Sequence, residues 1–238
     1  METMSTKPAK TPKSCCENPR AMQPRGKPRL FDTAAEQYDL WFESPDGKAI
    51  FEIEKNSLLL LLLSERDRWL EVGVGSGRFS ASFGISEGID PSSGMLAIAA
   101  QRRIHLVRGI AEDLPYRDAI FHGILMVTTL CFLRDPKRAL AEFYRILGFR
   151  GTLVVGMIPA EGAWGQLYIT KGRKGHSLYS EAHFYTCREV VRLCADVGFA
   201  FEKAVSCLLT APGNEPSPLL EEGMKENAGF VAMRFHKT

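Results

Sequence analysis

The stretch WLEVGVGSGRFS, residues 69–80, runs an apolar segment into three glycines at alternate positions, Gly73, Gly75 and Gly77. Glycine permits left-handed backbone and lets main chain approach a ligand, and a helix that starts behind such a turn offers free N–H groups. A dinucleotide fingerprint would read G-x-G-x-x-G. This turn reads G-x-G-x-G, with Glu71 two residues ahead of the first glycine. Further on, in GIDPSSGML, Asp90 ends a second apolar segment. An ionised carboxylate only accepts hydrogen bonds, so Asp90 can grip a ribose diol. It can equally cap the helix that Pro91 opens, and the two roles are compatible. A third segment leads into GIAEDLPYRD, where backbone N–H groups could edge an adenine.

Other residues with chemistry to offer lie at two places. AEQYDLWF holds Tyr38 and Trp41, which either cover a crevice or anchor their own helix in the core. Trp41 could stack on an apolar or cationic molecule. Residues 161–185 hold Trp164, Tyr168, His176, Tyr179, His183 and Tyr185 around a basic GRKGH. A neutral imidazole at His176 or His183 could act as a base, or simply lie in water. Cys131, Cys187, Cys194 and Cys207 are scattered through apolar segments and read as buried thiols. Adjacent Cys15 and Cys16 lack zinc-finger spacing, and no metal is expected.

The elements that must position these residues alternate along the chain. Residues 1–29 are rich in Lys, Pro, Ser and Arg and read as a disordered basic tail. An aromatic helical stripe from Phe31 to Phe42 ends at Pro45 and Gly47, and a leucine-rich helix is expected over 49–67. Strands are expected at 69–73, 86–90, 105–108, 120–127 and 151–157, with helices at 77–82, 92–102 and 136–147. Such repeats argue for a parallel sheet covered on both faces. A helix at 186–197 and strands near 200–209 and 229–237 suggest a final antiparallel pair.

A chain of 238 residues suits a single domain, residues 30–238 here, with 45% apolar and 24% charged residues. The formal net charge of +2 gives no basic face for nucleic acid or an anionic membrane. The leucine run Leu58–Leu63 is too short to span a bilayer. A reducing, cytoplasmic setting is expected.

EVGVGSG, GIDPSSGML, GIAEDLPYRDAIFHGILMVTTLCFL and DPKRALAEFYRIL, in that order, resemble class I S-adenosylmethionine-dependent methyltransferases. The similarity runs over about residues 30–210 and is nearest to the broad small-molecule and quinone-type group. GMIPAEGAWGQLYITKGRKGH resembles a poorly characterised branch of it. The resemblance implies a doubly wound, mostly parallel seven-stranded sheet with an antiparallel C-terminal edge strand. It also implies a helical lid over 30–66 and an acceptor-side insertion over 158–185.

S-adenosylmethionine is then the cofactor. Glu71 would organise the glycine turn near the methionine ammonium, and Gly73, Gly75 and Gly77 would let the backbone approach. Asp90 would hold the ribose, Met95 would pack on the adenine, and Ile110, Ala111 and Glu112 would border it. Val127 would face the methionine end. Tyr38, Trp41, Trp164 and Tyr168 would bind the acceptor, with Tyr38, His176 and His183 as candidate catalytic groups. The chain departs from the family at Ile110, where an Asp or Asn is common, at His122, and at Phe149-Arg150. The expected activity is methyl transfer to a small molecule by a monomer or homodimer. The alternative is a non-catalytic sensor or scaffold that binds the same cofactor.

Overall fold

The computed structural model describes residues 28–62 and 68–238. The expected N-terminal tail, Cys15-Cys16 and the end of the 49–67 helix lie outside the described residues, save for the tail's last two positions. Two helices lead, α1 (Pro28–Trp41) and α2 (Pro45–Leu59). Strands and helices then alternate: β1 (Trp69–Val72), α3 (Arg78–Phe83), β2 (Glu87–Asp90), α4 (Ser93–Ala99) and β3 (His105–Arg108). After a loop come β4 (Phe121–Val127), α5 (Pro136–Ile146) and β5 (Leu147–Met157). The chain ends with α6 (Ala163–Arg173), α7 (Cys187–Ala195), β6 (Phe199–Cys207), the short β7 (Glu221–Glu222) and β8 (Phe230–Lys237).

Local chemistry sets several of these boundaries. Ser44 caps α2, its Oγ accepting from Gly47 N at 3.1 Å, and Pro45 takes the first turn. The proline expected to end one helix therefore opens the next, as a missing N–H costs nothing there. Asp135 caps α5 with Pro136 behind it, accepting from Arg138 N at 3.0 Å. Ala139, Leu140, Phe143 and Ile146 then share the buried face of α5. Truncating a fully buried phenylalanine such as Phe143 costs about 3–5 kcal/mol.

The eight strands form one sheet in the order β3-β2-β1-β4-β5-β8-β6-β7. The first five pair in parallel. β8 runs antiparallel between β5 and β6. The last strand is thus one of an antiparallel group, as expected, but lies inside the sheet; two-residue β7 takes the outer edge beside β6. The 158–185 stretch contains α6, a helix its glycines conceal in sequence. β1 sits between β2 and β4, so the strand order reverses at its carboxyl end. That is where a doubly wound sheet opens a crevice. No helix among the described residues is long and apolar enough to cross a membrane.

Candidate functional site

A cavity of about 940 Å³ opens at this reversal, at the upper end of small-molecule sites. The glycine turn forms one wall. Gly73 N donates to Ile89 O at 2.8 Å and Gly75 N to Asp90 Oδ2 at 2.9 Å. The backbone of both glycines is left-handed, with φ 73° and 52°. A Cβ at Gly73 would stand 2.2 Å from Thr129 Oγ1, whereas one at Gly75 would meet no atom within 4 Å and would project into open space. Gly77 does not line the cavity; it packs against Ile104 and Ala99 and starts α3.

Asp90 ends β2 on the cavity wall and is 8% exposed. Its Oδ1 accepts from Ser92 N at 2.8 Å. Burial pushes its pKa up to about 6, although the N–H groups of Ser92 and Gly75 favour the carboxylate. Met95, Ile110, Ala111, Glu112 and Val127 all line the same cavity. Glu112 Oε1 also accepts from Arg134 N at 2.9 Å, tying the two neighbouring loops together.

Glu71 stands behind the glycine turn. It is 2% exposed and off the cavity wall. Its Oε2 accepts from Ser80 N at 2.8 Å and Ser80 Oγ at 2.5 Å, so the first turn of α3 takes up the carboxyl. Burial still pushes its pKa up to about 8.

Helix α1 closes over the turn through ion pairs. Asp39 pairs with Arg78 at 2.7 Å and Arg102 at 3.1 Å. Tyr38 and Trp41 of α1 meet Trp164 and Tyr168 of α6 across the cavity, joined by Tyr179. Trp164 Nε1 is anchored on Thr210 O at 2.8 Å. The two histidines are not brought in. His176 sits in the exposed turn after α6, its ring 4.5 Å from that of Tyr179, which takes the cavity position. His183 is exposed, with its N–H on Cys131 O at 2.8 Å and its ring against Tyr185.

Two acids on the wall, Asp135 and Glu54, have no counterpart among the expected site residues, and Asp135 is taken up as the cap of α5. Glu54 of α2 lines the cavity and is 8% exposed. Ile50, Ile53, Glu54, Ser57 and Leu58 form the buried face of α2, a helical spacing that places Glu54 in the apolar stripe. That spacing was the available signal.

Comparison with known proteins decides the family. A family model described as "Methyltransferase domain" matches residues 70–155. An uncharacterised protein of Mycobacterium tuberculosis is 34% identical over 224 residues, spanning 92% of this chain and 79% of its own. A solved structure from Thermotoga maritima, described as a SAM-dependent methyltransferase and possible histamine N-methyltransferase, is 35% identical with a TM-score of 0.81. The match covers 88% of this chain and 99% of that one. The chain belongs to the S-adenosylmethionine-dependent methyltransferases.

A demethylmenaquinone methyltransferase of T. maritima is also similar, 31% identical over 136 residues, 53% of this chain and 59% of that protein. The methyltransferase cofactor is S-adenosylmethionine. The cavity suits it in two respects. The open space over Gly75 is room that a side chain would fill, and Asp90 presents an acceptor-only group beside it.

Proposed function

We infer that this methyltransferase moves the methyl of S-adenosylmethionine onto a small organic acceptor held between α1 and α6. One observation carries the reading: a single cavity joins Gly73, Gly75 and Asp90 to an aromatic wall of Tyr38, Trp41, Trp164 and Tyr168. When bound, the cofactor supplies a methyl on a cationic sulfur that departs as a neutral thioether. Asp90 accepts from the ribose hydroxyls. Gly73 and Gly75 give room to the methionine portion and Val127 faces it. Met95, Ile110, Ala111 and Glu112 border the adenine. The aromatic side chains orient the acceptor and exclude water, which is how positioning lowers the barrier. Glu71 and Gly77 act behind the wall by fixing the start of α3.

Residues 30–238 act as one domain, with the described part of 30–66, α1 and α2, as a helical lid and 158–185 on the acceptor side. A cytoplasmic setting fits four free cysteines. Two of the relatives are described by their acceptors, one as a possible histamine N-methyltransferase and one as a demethylmenaquinone methyltransferase. Ile110 supports a second reading, a cofactor-binding sensor without catalysis, because its side chain cannot accept from the adenine amino group.

The test is calorimetric titration of wild type and Asp90→Asn with S-adenosylmethionine and its demethylated product, S-adenosylhomocysteine. Wild type should bind both, and the substitution should weaken binding about tenfold or more, the loss expected for a charged hydrogen-bond acceptor. Equal affinity in the two proteins would sink the assignment of Asp90. Binding without methylation of any amine, quinol or thiol offered would favour the sensor.

A further inference from the structure

Glu54 is a buried carboxyl that finds no partner among the described residues, on the wall of an aromatic chamber. It is 8% exposed and lines the cavity that holds Gly75 and Asp90. Among the described residues, no hydrogen bond or ion pair reaches its side chain. A buried acid usually gains a cation or donors, since an unpaired carboxylate in an apolar site is costly. Here the surroundings are rings. Tyr38, Phe42, Trp164, Tyr168 and Tyr179 share the wall with it, and the Tyr168 and Tyr179 ring centres are 4.5 Å apart. Aromatic faces attract cations and repel anions. The wall therefore favours a positive charge, and none of the described residues places one beside Glu54.

We propose that Glu54 is the acceptor-side acid of this site and that the acceptor is a small protonated amine. Its ammonium meets the Glu54 carboxylate and its carbon skeleton lies against the rings. This deepens the methyltransferase reading and rests on it.

The proton balance closes. Burial pushes Glu54 up to about 8, so it is neutral when the cavity is empty near neutral pH. An ammonium that pairs with it displaces that proton to solvent. Within the pair, the ammonium passes one proton to Glu54, which frees the nitrogen lone pair. Methyl transfer then forms the N–C bond as the S–C bond breaks, and the S–C electron pair stays on sulfur. The methylated ammonium carries the positive charge away. Glu54 ends the cycle with a proton, as it began.

The described groups that interact with Glu54, or lie on elements packed against its helix, do not supply such a proton. Burial pushes Tyr38 on α1, Tyr168 on α6 and Cys207 on β6 upward, and the nearby Glu54 charge adds to it. Lys171 of α6 lies on the same wall with its ammonium 5.6 Å from the Tyr168 ring centre, and does not pair with Glu54. Arg234 of β8 and Arg78 of α3, on elements packed against α2, pair with Glu202 and Asp39.

The experiment titrates the full chain, loaded with S-adenosylhomocysteine at about pH 7, with phenethylamine and with 2-phenylethanol, its neutral analogue. Wild type should bind the amine about tenfold more tightly or better, with about one proton released per amine bound. Buffers of different ionisation enthalpy read that proton. Glu54→Gln should bind the alcohol as wild type does, while losing the preference for the amine and the proton release. Equal affinity of wild type for amine and alcohol, or absence of proton release from wild type, overturns the proposal, and neither readout needs the variant to fold. If S-adenosylhomocysteine binds and the amine preference is absent, the amine proposal alone fails. If S-adenosylhomocysteine does not bind, the methyltransferase reading fails first.

Discussion

Asp32 and Ser92 are hydrogen-bonded at 2.7 Å although 60 positions separate them in the chain. Asp32 Oδ1 also accepts from Gly94 N at 2.9 Å, so the first helix satisfies a free N–H at the start of α4. Ser92 N meanwhile donates to Asp90. The covering helix and the acid on the cavity wall are therefore joined through one serine. Burial works against the Asp32 carboxylate, but the bonds from Gly94, Ser92 and Ser93 outweigh it and lower its pKa. Its stabilisation is thus present above the unfolded carboxylate value and is lost as pH falls through the lower folded one. Asp32→Ala should cost about 1 kcal/mol and release α1 to limited proteolysis before the sheet unfolds. Proteolysis that cuts sheet and α1 together, as in wild type, would show that this bond does not hold the cover.

The two glycines of the turn should separate stability from binding. Alanine at Gly75 meets no protein atom within 4 Å, so its cost is the left-handed backbone alone, about 1 kcal/mol. Its methyl would stand in the open space proposed for the cofactor. Alanine at Gly73 would be driven into Thr129, 2.2 Å from Oγ1, and should cost a further 1–3 kcal/mol or so for overpacking. Thermal melts should rank the variants as wild type, then Gly75→Ala, then Gly73→Ala. Titration with S-adenosylhomocysteine should find Gly75→Ala weakened about tenfold or more, equivalent to about 1.4 kcal/mol. Unaltered binding by Gly75→Ala would place the cofactor elsewhere in the cavity.

How much of this was legible in the sequence depends on the range of the interaction. The strand-turn-helix units are set by neighbours a few residues apart, and a sequence displays them directly. The same holds for Asp90 at the end of β2, and for the aromatic residues that supply the far wall. The place of β8 between β5 and β6 depends on pairing across the whole C-terminal third, which no local pattern encodes. Helix α6 was hidden because Gly165 and Gly172 lie in it and Gly162 caps it without a side chain. Glu54 is flanked by Glu52 and Lys55 and resembles another solvated charge. Only its spacing with Ile50, Ile53 and Leu58 marks it as buried. For Glu71 the motif names the residue, but the Ser80 N–H and Oγ decide where its carboxyl goes.

Among the described residues, three buried carboxyls on or behind the cavity wall contribute to the pH dependence of the ligand-free protein. Burial raises Glu54 and Glu71 to about 8 and Asp90 to about 6. Unfolded, such groups titrate near about 4. Between those values the folded chain holds protons that the unfolded chain has lost, so stability falls as pH rises. The contribution is full below about pH 4 and is spent once pH passes the folded values, with an upper bound of about 1.4 kcal/mol per pH unit for each group. Other groups titrate in the same range, and the difference between two proteins isolates one of them. Glu54→Gln stays neutral throughout. Its melting temperature should approach or match wild type at about pH 5 and exceed it by a growing margin toward about pH 8. A difference that stays constant across that range would show that Glu54 does not titrate there, and the acid would then already be partnered when the cavity is empty.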